Sequence, residues 1–268
     1  MRIALITDVH FGPRAYHEGK LRKLTDQAGA LSRAFVERMQ REDQPELVVN
    51  LGDVIEDADR EQDLAHYAEF VDILGRLSAR VVHVAGNHDQ VNLSEADLCK
   101  LWGHTGRLFY SFDHGGLHFV VLQTDEVRDT AIHLAAEQIE FVRTDLAATQ
   151  LPTLIFMHHP ASDQLLEGNR WFERAPHVCR VAERKALRSV IEASGKVIAV
   201  FNGHVHWNHL DVIAGVPYIT LQSLIENLDA DAPGRAAAAH AVVDIEPRRL
   251  LVDVRGQEPI RYQFELRR

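Results

Sequence analysis

Phe201-Asn202-Gly203-His204-Val205-His206 closes the apolar run that begins at Lys196. The run reads as a buried strand, Gly203 ends it, and two histidines two residues apart follow. If the extended backbone continues past Gly203, His204 and His206 project to one face, because strand side chains alternate with period two. Two imidazoles at one strand end form a convergent pair of nitrogen donors suited to Zn, Mn, Fe or Co. A histidine pair beside a turn is commonplace on its own. Its weight comes from four earlier polar clusters, each also placed after an apolar run.

The first is Asp8-Val9-His10, delivered by the β-branched and aliphatic stretch Ile3 to Thr7 and followed by the turn Phe11-Gly12-Pro13. Leu24, Ala28, Leu31, Phe35 and Met39 then mark one face of a helix, and Leu47 to Asn50 is a second strand running into Gly52-Asp53. Leu64, Tyr67, Val71, Leu74 and Leu77 mark a second helix, and Arg80 to Ala85 a third strand ending in Gly86-Asn87-His88-Asp89. Strand, polar loop and helix repeated in this way predict a right-handed, largely parallel βαβ layer, in which ligands bind beyond the carboxyl ends of the strands.

Beyond this layer, Leu108 to Phe112 and Leu117 to Leu122 flank Asp113-His114-Gly115-Gly116 and predict a hairpin. A helix is expected over 134–149, a strand over Thr153 to Met157 ending in His158-His159-Pro160, a long loop over 161–179, and a helix over 181–193. Strands are expected at 209–213, 217–222, 240–245 and 250–254, completing a second sheet within one domain of 268 residues.

Composition narrows the function classes. Hydrophobic content of 46% and charged content of 25% are those of an ordinary globular chain. A net charge of −10 without a basic stripe argues against nucleic acid or an anionic membrane as partner. Cys99 and Cys179 form no CxxC and read as buried free thiols. The opening residues meet Asp8 too soon for a signal-peptide core, and no apolar stretch is long enough to span a membrane, so a cytoplasmic location is expected.

Asp8, His10, Asp53, Asn87, His158, His204 and His206 are hard oxygen and imidazole donors without a thiolate. That set favours Mn, Fe, Zn or Co over a structural zinc. Seven donors exceed the need of one tetrahedral ion and suit two ions with shared coordination, for which Asp53, central in the set, is the natural bridge. Two divalent cations against two carboxylates leave a positive site that calls for hydroxide and a phosphate oxygen.

The string D-x-H, G-D, G-N-H-D, H-x-P and G-H-x-H, spanning residues 8 to 206, resembles the calcineurin-like metallophosphoesterase superfamily. Within it the chain is most similar to bacterial class III cyclic-nucleotide and glycerophosphodiester phosphodiesterases. The resemblance implies an α/β fold, a four-layer αββα sandwich of two mixed sheets flanked by helices. It assigns Asp8, His10 and His206 to one ion, Asn87, His158 and His204 to the other, and Asp53 to both. It makes His88 the group that stabilises the transferring phosphoryl or protonates the leaving oxygen, steadied by Asp89, and makes His159 only the neighbour of a ligand. Where purple acid phosphatases carry a tyrosine, this chain has Glu56, so no purple ferric site is expected. The arginines of protein phosphatases are missing around Gly52-Asp53 and Asn87-His88-Asp89.

The expected activity is therefore hydrolysis of a small phosphodiester by a metal-bound hydroxide. A phosphomonoesterase is the alternative, and a non-catalytic scaffold the remote one. The expected partner is a small-molecule phosphate ester, with no nucleic acid polymer and no membrane; a homodimer is compatible with the sequence. Of the other histidines, His83 reads as a core residue, His17 and His240 as surface or cap residues, and His209 as close enough in sequence to reach the site. Trp171 and Phe172 read as loop anchors.

Overall fold

Arg2-Ile3-Ala4-Leu5-Ile6 is nearly all aliphatic and buried on both faces, and in the computed structural model it forms β1 (Arg2–Ile6) inside the first sheet. The structure describes residues 1–229 and 231–266. A short ribbon, β2 (Ala15–His17) with β3 (Lys20–Lys23), precedes helix α1 (Ala28–Arg38). β4 (Leu47–Asn50), α2 (Arg60–Leu74) and β5 (Arg80–His83) follow, and β4 pairs parallel with both β1 and β5. α3 (Asp89–Asn92) and α4 (Glu95–Trp102) close this half, with Ser94 and Asp97 forming a reciprocal cap on α4.

β6 (Tyr110–His114) and β7 (Leu117–Val121) form the expected antiparallel hairpin. A ribbon of β8 (Asp125–Val127) and β9 (Ala131–His133) stands apart from either sheet. α5 (Ala136–Ala148), β10 (Thr153–Phe156), α6 (Arg184–Ser194), β11 (Val197–Asn202), β12 (His209–Ile213) and β13 (Val216–Thr220) complete the second sheet, in the order β12-β13-β11-β10-β7-β6.

The last strands correct one expectation. Only β12 and β13 belong to the second sheet. β14 (His240–Glu246), β15 (Arg249–Arg255) and β16 (Ile260–Glu265) return antiparallel onto the free edge of β1, giving a first sheet ordered β16-β15-β14-β1-β4-β5. The physical reason is burial: Ala241, Val243 and Ile245 of β14 add to the apolar layer between the sheets, and β1 thereby gains a partner on its second edge. β16 lies outside the expected strands although Ile-Arg-Tyr-Gln-Phe-Glu alternates apolar and polar residues; it is a half-exposed edge strand in which Tyr262 and Phe264 pack against the core.

Alternation along the strands builds four layers. Ile3 and Leu5 face the second sheet, joined there by Leu47, Val49, Phe119, Phe156 and Phe201. Ala4, Ile6 and Val48 face α1, α2 and α4, and Val120, Ile155 and Val200 face α5 and α6. Strands covered on both sides have no polar face, which is why they read as unbroken apolar runs. Phe112, Phe119, Phe156 and Phe201 stack across the second sheet with centroids 5.0, 6.2 and 5.9 Å apart, each burial worth about 1.5–3 kcal/mol. Cys99 and Cys179 are free and buried. No helix among the described residues is long and apolar enough to cross a membrane.

Candidate metal centre

The polar loops after β1, β4, β5, β10 and β11 meet where the two sheets adjoin. Parallel pairing of β1 and β4 continues past the strands: Asp8 N–H donates to Gly52 O at 2.9 Å, and Val9 and His10 N–H both donate to Asp53 O. His158 Nδ1 reaches Leu51 O at 2.8 Å, and His204 N–H donates to the Asp8 carboxylate at 3.0 and 3.1 Å, so the second sheet's loops are tied to the first sheet's. Close approach leaves no room for larger residues: a Cβ on Gly86 would lie 2.1 Å from Asp53 Oδ1, and one on Gly203 would lie 2.0 Å from Thr7 Oγ1.

The expected side-chain alternation past Gly203 is produced differently. β11 ends at Asn202, and His204 and His206 adopt left-handed backbone with φ of 69° and 61°. Asp8, His10 and Asp53 share this conformation at φ of 50°, 48° and 55°. Such non-glycine residues cost free energy and persist where surrounding contacts enforce them. Val9 and Val205 between them are fully buried, so the apolar middle residue holds each motif while its neighbours turn to the site.

Asp8, His10 and His206 bring donor atoms within 4.8 Å of one another, as do Asp8, Asp53 and His158, and likewise His158, His159 and His204. His10 Nε2 lies 3.2 Å from His206 Nε2 and 3.7 Å from Asp53 Oδ2, while Asp53 Oδ2 lies 3.2 Å from His158 Nε2. One oxygen of Asp53 thus faces both groups, its other oxygen accepting the His88 N–H at 3.0 Å. The remaining predicted donor, Asn87, follows Gly86 in the same loop; its Oδ1 is buried without a hydrogen-bond partner. His204 and His206 therefore diverge, one toward His158 and one toward Asp8, rather than pointing together.

The fit to metal ions rests on how each ring is held. His10 Nδ1 lies 2.7 Å from Glu56, His206 Nδ1 2.8 Å from Glu226, His158 Nδ1 2.8 Å from Leu51 O, and His204 Nε2 3.1 Å from Val178 O. Each acceptor takes the proton of one ring nitrogen and leaves the other as a lone pair, which in His10, His158 and His206 is directed toward Asp8 or Asp53. Two imidazole lone pairs 3.2 Å apart, as at His10 and His206, repel unless a proton or a cation lies between them. The separations of 3.2–3.9 Å among Asp8, His10, Asp53, His158 and His206 are edge lengths that donors about 2.1 Å from one ion adopt.

Sequence reading missed the groups behind these rings. Lys23 is buried with its ammonium 2.9 Å from Glu56 and 3.5 Å from His10 Nδ1, and Glu226 also accepts from Trp171 Nε1 at 3.1 Å. Glu226 follows the buried pair Leu224-Ile225, the same apolar-then-polar signal that marked the other loops. Trp171 lies 5.4 Å from the His206 ring and 4.8 Å from His17, and Phe172 4.6 Å from His204, so this pair does anchor the 161–179 loop, over the site. His209 turns to Asp211 at 3.3 Å, His240 is buried against Phe35 rather than exposed, and Arg14 pairs with Asp26.

Asp89 needs correction too. Its carboxylate accepts the backbone N–H of Asp53 at 3.0 Å, Val54 at 2.8 Å and Gly86 at 2.9 Å, holding the second and third loops together. The carboxylate that faces the His88 ring is Asp57, 3.5 Å from Nδ1. The three backbone N–H groups explain the difference: they draw the buried Asp89 carboxylate back onto the loops, whereas the His88 side chain is partly exposed.

Electrostatics follow from burial opposed by pairing. Burial disfavours charge on His158 and His206, yet Asp53 in one case and Asp8 with Glu226 in the other outweigh it and raise both to about 9. Burial and Lys23 push His10 down to about 4, and burial with His158 pushes His204 down to about 3. Burial opposes ionisation of Asp8, but His206 holds it well below the usual carboxylate range. Protons on His158 and His206 thus supply, without ions, the charge that cations would supply. A raised folded pKa gives stability that is complete below the unfolded value near 6.5 and is lost as pH rises through about 9. The chelated protein should therefore lose melting temperature between pH 6.5 and 9.5, each imidazole contributing at most ~3 kcal/mol, while the ion-loaded protein should not. Parallel melting curves for the two forms across that range would contradict this charge balance.

Known proteins agree with the geometry. A purple acid phosphatase of Arabidopsis thaliana is 34% identical over 109 residues, covering 39% of this chain and 18% of that protein. A probable cyclic nucleotide phosphodiesterase of Synechococcus is 28% identical over 162 residues, covering 60% of this chain and 58% of that one. The matched region spans less than two thirds of either relative. A dimetal phosphatase from Danio rerio shares the fold, with a TM-score of 0.79 at 19% identity over 98% of both chains. Residues 1–208 match the family described as calcineurin-like phosphoesterase. With a family match of that extent, over a site whose donor groups are arranged as cations require, the chain belongs to the calcineurin-like phosphoesterases.

Proposed function

We propose that the chain is a phosphodiesterase acting on a small phosphodiester such as a cyclic nucleotide or a glycerophosphodiester. Asp8, His10 and His206 would hold one ion and Asn87, His158 and His204 the other, with Asp53 serving both. Nitrogen and oxygen donors without thiolate suit Mn, Fe, Zn or Co. Ions bound there would supply charge to the non-bridging phosphate oxygens and acidify water. The side chains do the rest. Glu56 and Glu226 orient His10 and His206, and Trp171 limits water above His206. His88 holds a proton for the departing alkoxide: burial and Lys23 oppose its charge, but Asp53 and Asp57 outweigh them and raise its pKa. Asp89 acts on the loops, not on the substrate.

The observation that supports a diester is a cavity of about 540 Å³ beside His88 and Asn87, walled by Asp57, Asp125, Glu126 and Asp129. It offers room for the second substituent of a diester, and its carboxylates disfavour the extra charge of a monoester dianion. Among the described residues, Arg128 is the one arginine or lysine in its lining. The Synechococcus relative's name points the same way, whereas the Arabidopsis relative's favours a monoester. Turnover of bis-p-nitrophenyl phosphate should exceed that of p-nitrophenyl phosphate in kcat/KM. Preference for the monoester would overturn the diester reading and leave the ion pair standing.

A further inference from the structure

We propose that Glu126, on the β8–β9 ribbon, is the positioning residue that turns the Asn87 amide so that its carbonyl oxygen, not its NH2, faces the second ion. This rests on the two-ion reading above. An amide beside a cation must present oxygen, and its two ends differ little in shape, so something outside the ion must choose between them. Asn87 Nδ2 donates to Glu126 Oε2 at 2.8 Å, and Oδ1 is left buried without a partner. A carboxylate accepts only, so this contact admits one amide orientation. Among the described residues Asn87 Nδ2 makes no other hydrogen bond, and nothing else would hold the amide in register.

The ribbon is placed to do this without depending on Glu126. Ala182 N–H donates to Ile132 O at 2.8 Å, Leu134 N–H donates to Glu183 at 2.8 Å, and Ile132 is fully buried. Gln90 bonds both Gly86 O at 3.0 Å and Thr124 O at 3.3 Å, lashing the Asn87 loop to the segment that leads into β8. Glu126 thus arrives on a supported frame, and truncating it removes one contact rather than the element. The ribbon itself is neither sheet's strand, and orienting Asn87 gives it a part in the ion site.

The test is titration of the chelator-stripped full chain with Mn2+ by calorimetry, with electron paramagnetic resonance reporting coupled ion pairs. The wild type should take two ions. Glu126→Ala should bind the second ~10–100-fold more weakly and lose the coupled-pair signal. Glu126→Gln, whose amide donates as well as accepts and so admits either end of Asn87, should weaken the second ion to an intermediate degree, ~3–10-fold. In an Asn87→Asp background, where either end of the side chain is oxygen, Glu126→Ala should no longer weaken the second ion. Unchanged binding in Glu126→Ala overturns the proposal. So does a Glu126→Gln variant that binds the second ion as tightly as wild type, because an acceptor-only partner would then not be what chooses the amide end. A folded wild type that binds fewer than two ions removes the two-ion reading and this inference with it; two ions in wild type and Glu126→Ala alike remove this inference alone.

Discussion

Replacing Asp53 by asparagine is expected to lower kcat/KM by at least ~10³-fold, with both ions bound more weakly. Asp53 Oδ2 faces His10 Nε2 at 3.7 Å and His158 Nε2 at 3.2 Å, so a single oxygen lies between the two donor groups. Asparagine conserves shape and can still accept the His88 N–H through Oδ1, as Asp53 does at 3.0 Å. It then turns an NH2 toward two ring nitrogens and removes a negative charge from between the cations. The loop should survive, because its backbone is held by Asp89 and by pairing with Val9 and His10. Metal analysis and steady-state kinetics at saturating Mn2+ check this together. Turnover within about tenfold of wild type would contradict a shared carboxylate and the role assigned to Asp53.

Asp89→Ala should be the most destabilising single change at the site, and chiefly a folding defect. Three buried N–H groups, on Asp53, Val54 and Gly86, lose their acceptor at once. Each unsatisfied donor costs about 1–3 kcal/mol, so a loss of ~3–5 kcal/mol and a melting temperature lower by on the order of 10 °C are expected. His88→Ala should behave in the opposite way. The His88 side chain is 24% exposed, and its ring meets Asp57 at 3.5 Å and the His10 ring edge at 4.8 Å, so stability should change by less than ~1 kcal/mol while kcat falls ~10²–10⁴-fold. Thermal melting beside kinetics for the two variants separates the roles. If Asp89→Ala melted like wild type and lost only rate, a direct partnership of His88 with Asp89 would be restored.

Much of this arrangement is legible before any coordinates. Unbroken apolar runs such as Ile3 to Ile6 and Val197 to Phe201 mark strands covered on both sides, because a buried strand has no polar face to interrupt its pattern. Polar residues directly after such runs mark the edge where parallel strands end, and there the donors lie. The ribbon β8–β9 and the edge strand β16 give no such signal, since short or half-exposed strands need little apolar sequence. The allegiance of β14 to the first sheet is equally silent in the pattern: alternation tells which face is buried, never which strand is the neighbour.

The amino-acid sequence alone determined which elements form and which kinds of donor stand at their ends: carboxylates, imidazoles and an amide, no thiolate. Tertiary structure alone decided how each donor is aimed. Leu51 holds His158 across 107 residues, Asp8 holds the His204 backbone across 196, and Glu126 meets Asn87 across 39. Hydrogen bonds act over about 3 Å and depend on angle, so the partner that orients a ring is whichever loop the packed sheets bring beside it. Periodicity along a chain carries no record of that neighbour.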